Sequence, residues 1–113
     1  MLEKIKIELA ITSNKINFND LSNFRIGLKI TNSNDKIEFF DVSKTNLFVN
    51  TIKSISWDLC THNGTIINLS IPPKKSETVQ WPLGEALFTS TGEYHLKLVN
   101  GSFIQITKVT VVE

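Results

Sequence analysis

Gly92-Glu93-Tyr94-His95-Leu96-Lys97-Leu98-Val99-Asn100-Gly101-Ser102-Phe103-Ile104 is the stretch that decides the fold. Tyr94, Leu96 and Leu98 alternate with Glu93, His95 and Lys97. A period of two puts the apolar side chains on one face of a strand. Asn100-Gly101 is a hairpin signal, because glycine and asparagine accept the positive φ that tight two-residue turns need. The return run, Ser102 to Val112, changes phase: Ile104 and Ile106 fall on one parity, Val109 and Val111 on the other. A bulge near Thr107-Lys108 is expected to restore a single buried face.

Working outward, the same period recurs. Ile5, Ile7, Leu9 and Ile11 alternate with Lys4, Lys6, Glu8 and Ala10, and Phe24, Ile26, Leu28 and Ile30 alternate with Arg25, Gly27 and Lys29. Ser13 to Asn23 reads as a connecting loop, and Asn32-Ser33-Asn34-Asp35 as a turn. Ile37 to Val42 is a further strand, followed by a short apolar piece over Leu47 to Ile52. Ile55, Trp57 and Leu59 alternate with Ser54, Ser56 and Asp58, which predicts another strand. Asn63-Gly64 then predicts a hairpin with Ile66 to Ile71. Pro72-Pro73 and Pro82 end strands, since proline has no amide to give a ladder. Ser76 to Trp81 lies between them, and Leu83 to Phe88 reads as one helical turn.

Composition agrees. The 113 residues include 14 Ile, 7 Val and 11 Thr against two Ala. β-Branched side chains suit a pleated surface, and unbranched ones suit a helix. With 41% hydrophobic and 20% charged residues, the chain is sized for one core. The longest apolar run is three residues (Leu9-Ala10-Ile11, for example), far short of the ~20 that a membrane-spanning helix needs, so no membrane insertion is expected. One cysteine excludes an intrachain disulfide framework. The expected fold is an all-β, antiparallel sandwich of eight or nine strands with Greek-key connections, one domain over residues 1–113. The chain reads as a whole small protein or as one domain of a larger one. The first reading places it in the cytoplasm and the second outside the cell.

Gly92-Glu93-Tyr94 resembles the entry to strand F of immunoglobulin-like and fibronectin-type sandwiches, and the resemblance implies a tyrosine corner in which the Tyr94 hydroxyl ties back to a nearby loop. Phe24 to Asn32 is similar to strand B of those folds, and Pro73-Lys74-Lys75-Ser76-Glu77-Thr78-Val79 to the entry of strand E. The layout of Trp57, Trp81 and Tyr94 also resembles, more loosely, the bacterial intracellular proteinase inhibitor family, which implies a rigid loop presented to a protease cleft.

No motif marks an enzyme. Cys60 and His62 are two apart and would share a side of a strand, but no further ligand stands at zinc-site spacing. Cys60 therefore reads as a structural thiol, and no metal or cofactor is expected. Asn32 to Asp35 lacks the glycine and distal glutamate of a calcium loop. Arg25 is the single arginine and the lysines are dispersed, so the clustered charge that binds nucleic acid is missing. Trp57 reads as core. Trp81, which ends a strand at Pro82, reads as core or as an exposed platform for sugar or peptide.

The expected role is recognition of a protein partner through loops at one end or through a sheet edge, by a monomer or weak edge-strand dimer. Proteinase inhibition, or carbohydrate binding as an accessory domain of a larger secreted or surface protein, are the alternatives. If every connection reverses the chain, the loops alternate between two ends. Lys36, Lys53, Lys74 and Lys75 then gather at one end against Asp35, where they would steer an acidic partner. The other end holds His62, Asn63, Trp81, Leu83, Leu87 and Phe88 in loops open to a peptide.

Overall fold

The computed structural model describes residues 5–62 and 68–113. Strands occupy just over half of them. They are β1 (Ile5–Ile11), β2 (Lys15–Asn17), β3 (Ile26–Asn32), β4 (Glu38–Asp41), β5 (Asn46–Val49), β6 (Ile52–Lys53), β7 (Asn68–Ile71), β8 (Ser76–Trp81), β9 (Gly92–Asn100) and β10 (Phe103–Val112). Two helices interrupt them, α1 (Ile55–His62) and α2 (Gly84–Leu87), and 3-10 turns span Phe18–Asn23 and Val42–Lys44. The fold is mainly β, as expected, with ten strands among the described residues; α2 falls within the helical turn expected over Leu83 to Phe88, whereas α1 falls where the sequence predicts a strand.

Three sheets form: β1-β3-β8, β2-β10-β9-β5-β6, and the pair β4-β7. The first two share one core. Leu9, Ile26, Leu28, Ile30 and Val79 from one meet Leu47, Leu96, Leu98, Val109 and Val111 from the other in a single buried cluster. A side chain bridges the two sheets, where the Leu9 amide of β1 donates to Gln105 Oε1 of β10 at 2.8 Å. Gly27 shows how closely β3 and β8 approach: a Cβ there would stand 1.7 Å from the Val79 carbonyl oxygen. One pairing is parallel, β2 with β10 through Lys15↔Thr110 to Asn17↔Val112. The short β2 runs inside the segment read as a plain loop.

The β9–β10 register runs unbroken from Phe103↔Asn100 to Val111↔Gly92, so no bulge forms at Thr107-Lys108. Phe103, Gln105, Thr107, Val109 and Val111 keep the inward parity throughout, and Ile104 and Ile106 stay on the outer face, 57% and 64% exposed. The phase change is real in the sequence, but the inner face accepts glutamine and threonine rather than bend the strand. In the turn only Gly101 has positive φ (61°), so the two-residue loop is Gly101-Ser102, one position later than the Asn-Gly signal suggests.

The predicted strand over Ile55 to Leu59 is the helix α1. Ser54 caps it: its Oγ accepts from the Trp57 amide at 3.1 Å. At 100° per residue, positions two apart point to nearly opposite sides of a helix. Trp57 is accordingly buried, while Ile55 and Leu59 are 73% and 59% exposed. With α1 in that place, no strand precedes Asn63-Gly64, which itself lies outside the described residues. β7 pairs instead with the distant β4, Glu38↔Ile71 to Asp41↔Asn68.

Candidate functional site

The residues expected at one basic end divide. Asn32, fully buried at the end of β3, donates through Nδ2 to the carbonyls of Lys36 (2.9 Å), Ile71 (2.9 Å) and Pro72 (3.2 Å), and its Oδ1 accepts from the Asn34 amide at 2.8 Å. This hub fastens the loop after β3 to the loop before β8 and gathers Lys36, Lys74 and Lys75. Lys53 does not join them. It sits beside α1, 3.4 Å from Asp58, on the side of the molecule that carries Ala86, Leu87 and Tyr94. The reversal count fails at α1 and at the β4–β7 pair. The loop around Lys44 accordingly falls beside the β9–β10 turn, with Asn100 Nδ2 donating to the Lys44 carbonyl at 3.2 Å. The Lys74 ammonium is held by the Ser33 carbonyl at 2.8 Å and by Asp35 at 3.4 Å, and Asn34 ties Glu38 to the same corner. Three lysines face two carboxylates there, and the expected positive excess shrinks accordingly.

The opposite end carries an apolar groove. Leu83 (9% exposed) and Phe88 (1%) were expected in loops open to a partner, but both are core. Phe88 stacks edge-on between Phe24 (5.1 Å) and Tyr94 (4.8 Å). Trp81 is no open platform, since it meets Trp57 edge-on at 5.4 Å and is half-buried. Leu87, expected to be open as well, is 7% exposed and also core. With Val49, Ile52, Ile55, Ala86 and Tyr94 it lines an open groove of about 470 Å³ between the start of α1 and α2. Ile52 and Ile55, exposed by 72% and 73%, form one lip, and Asn50, Ser54, Ser56 and Thr89 give it a polar rim. An exposed apolar surface inside a polar rim is the usual mark of a protein-contact site.

Two devices hold the groove in shape. The β5–β6 hairpin turns on Asn50 (φ 49°) and Thr51 (φ 74°), the pair of positive φ values of a type I′ turn. Asn50 then clasps β9, its amide donating to the His95 carbonyl at 2.9 Å and its Oδ1 accepting from the His95 amide at 2.8 Å. On the far lip Tyr94 makes the tyrosine corner: its hydroxyl donates to the Ser90 carbonyl at 2.8 Å and accepts from the Ser90 amide at 3.2 Å. Burial pushes the Tyr94 phenol up, but these bonds outweigh it and hold the group below its ordinary range.

Cys60 is half-buried on α1 and packs against the core, and burial pushes its thiol up, away from the reactive thiolate. On a helix Cys60 and His62 no longer share a side. His62 is exposed and lies 3.9 Å from Asp58, one turn earlier. Among the described residues no three His, Cys, Asp or Glu side chains gather at metal-binding distance. Asn63 lies outside the described residues.

Sequence reasoning missed Ile52 and Ile55 because it assigned Ile55 to a strand interior. The available signal was Ser54 followed by a polar-apolar octet ending before Asn63-Gly64, a helix-cap reading that the alternation obscured.

The chain matches no protein-family model and no curated protein sequence. Among solved structures it is similar to part of a β-glucosidase from Listeria innocua in complex with glucose, at a TM-score of 0.52 and 10% identity over 96% of this chain and 16% of that one. The same enzyme in complex with gluconolactone gives 0.47 at 12% identity, and an FMN-binding β-glucuronidase from Facaelibacterium prausnitzii gives 0.37 at 10%, the latter over 12% of its length. The chain therefore spans about a sixth of the β-glucosidase it matches. At such identity the likeness is one of fold.

Proposed function

We propose that this chain is a non-catalytic protein-binding module with an immunoglobulin-like β-sandwich fold, and that its contact site is the groove between α1 and α2. The fold reading rests on the strand order β1-β3-β8 facing β2-β10-β9-β5-β6, on the parallel β2–β10 pair, and on the Tyr94 corner. The functional reading rests on one observation: Ile52 and Ile55 stand in water beside a concave floor of Leu87 and Tyr94. Such a lining supplies desolvation and shape rather than acid–base chemistry, and its occupant is a partner's extended segment carrying a large aliphatic or aromatic side chain. The residues behind the proteinase-inhibitor resemblance, Trp57, Trp81 and Tyr94, serve the core and the corner, and so support the fold rather than a reactive loop.

Selection of a displayed random-peptide library against the chain tests this. Peptides sharing a large apolar residue are expected. They should perturb the resonances of Val49, Ile52, Ile55, Leu87 and Thr89, and Ile55→Asp should abolish their binding. Peptides whose binding survives Ile55→Asp, or that map to the Asn32 end, overturn the groove assignment.

A second reading, an accessory module of a larger chain, is favoured by the fold likeness, which takes in nearly all of this chain and a small part of the glucosidase. It predicts that the groove faces a neighbouring domain of the same polypeptide, and the length of the open reading frame tests it.

A further inference from the structure

Among the described residues, the outer edge of β10 has no partner strand over half its length. The Thr110 amide donates to the Asn14 carbonyl at 2.9 Å, toward β2 and away from β9. Backbone groups alternate sides along a strand, so the amides and carbonyls of Ile104, Ile106 and Lys108 point the same way. β2 begins only opposite Thr110, and among the described residues no strand lies beside residues 103–108 on that side. The space next to the start of this edge is an open groove of about 720 Å³, bounded by Ile5, Lys6, Ile7 and Ser33 on one side and by residues 100–103 on the other.

Folded proteins commonly blunt such edges with charge, proline, bulges or brevity. The outer edges of the two larger sheets are otherwise blunted, and β4 and β7, which pair only with each other, are four residues each. β6 has two residues and β2 three. At β8 the Gln80 carbonyl accepts from Arg25 Nη2 at 3.3 Å, and at β1 the Leu9 amide is taken by Gln105. Phe103-Ile104-Gln105-Ile106-Thr107 has no charge, no proline and no bulge, and its two isoleucines are exposed by more than half.

We infer that this edge pairs with a second copy of the chain, β10 against β10, antiparallel about a two-fold axis between the two Gln105 residues. In that register Ile104 of each copy faces Ile106 of the other, so the two rungs that face outward are aliphatic and self-complementary. Lys108 of each copy faces Ser102 of the other, and no two like charges meet. The pairing is bounded at one end by the Gly101-Ser102 turn and at the other by β2, which limits it to about five residues and makes the dimer a weak one. A second copy is favoured over an unrelated peptide because the edge itself supplies the aliphatic partner that each rung needs.

Sedimentation equilibrium and amide exchange on the full chain test the proposal. As concentration rises from micromolar to millimolar, the mass should climb from that of a 12.8 kDa monomer toward twice that value. The amides of Ile104, Ile106 and Lys108 should gain protection in parallel, while Gln105 and Thr107, already bonded to β9, should not change. Ile104→Lys/Ile106→Lys should remain monomeric at every concentration with a native circular dichroism spectrum. Should that variant fail to fold, Ile106→Thr, which keeps strand propensity, should weaken the dimer several-fold. A chain that stays monomeric at millimolar concentration overturns the inference, whatever peptide it accepts. So does a dimer that survives the lysines, or one that protects other amides.

Discussion

The Trp57 indole donates through Nε1 to the hydroxyl of Thr45 at 3.1 Å, with both residues fully buried. Thr45 passes the proton chain on, donating to the Val42 carbonyl at 2.7 Å. The bond ties α1 to the 3-10 turn before β5, and it answers the one polar atom that a buried tryptophan carries. Thr45→Val keeps the shape and removes the acceptor. A buried donor left unpaired costs about 1–3 kcal/mol, so the urea midpoint should fall by that energy divided by an unchanged m-value. Thr45→Ser, which retains the hydroxyl, should lose clearly less, and equal losses would mean that packing rather than the hydrogen bond is being measured.

The Tyr94 corner should matter less than its geometry suggests. Ser90 is exposed, so its amide and carbonyl find water once the phenol is gone. Tyr94→Phe is expected to cost about 0.5–1.5 kcal/mol, the net worth of an ordinary hydrogen bond, and thermal unfolding will read it. The larger consequence is local: amide exchange at Ser90 and Thr91 should quicken on one lip of the groove while the core of β9 stays protected.

Thr51 is strained. A β-branched side chain at φ 74° crowds its own backbone. Glycine relieves a left-handed penalty of about 1–2 kcal/mol and gives back part of it as unfolded-state entropy, for a net gain of roughly 0.5–1 kcal/mol. Thr51→Gly should therefore raise the melting temperature. If it lowers it, Thr51 is making a contact that outweighs its backbone.

The parts of the fold that sequence made legible are those where one face of a strand meets the core. β1, β3 and β9 alternate because their outer faces are wet, and the Gly-x-Tyr entry announces the corner at Tyr94. α1 was hidden because it buries a tryptophan and a threonine, Trp57 and Thr61, rather than an aliphatic stripe, and leaves Ile55 and Leu59 outside. Its period-two pattern is therefore a solvent-facing feature, not a packing one. The candidate groove was illegible for the same reason: its lip is made of the residues that a strand reading turns inward. The unbroken β10 was masked by Gln105, whose amide satisfies β1 instead of filling the core with carbon. The basic end was half legible, since the clustering of Lys36 with Lys74 depends on Asn32, which reads from sequence as an ordinary turn residue.

Asp41 supplies a pH dependence. It caps the 3-10 turn, accepting from the Ser43 hydroxyl at 2.6 Å and from the Ser43 amide at 2.9 Å. These bonds, with Lys44 and His62 adding positive charge nearby, hold its carboxyl below the ordinary 3.8 despite some opposing desolvation. A carboxylate whose folded pKa is depressed stabilises the fold above its unfolded pKa, and that contribution disappears as pH falls through the folded value. The window is therefore acidic, from about pH 4 downward. Asp41→Asn keeps an oxygen that can accept from the Ser43 amide but cannot titrate. Its melting temperature should lie below that of the parent at neutral pH, and the difference should narrow as pH falls below 4 and the parent's carboxylate takes up its proton. Parallel curves across that range would mean that Asp41 titrates alike in the folded and unfolded chains, and that the cap acts through geometry alone.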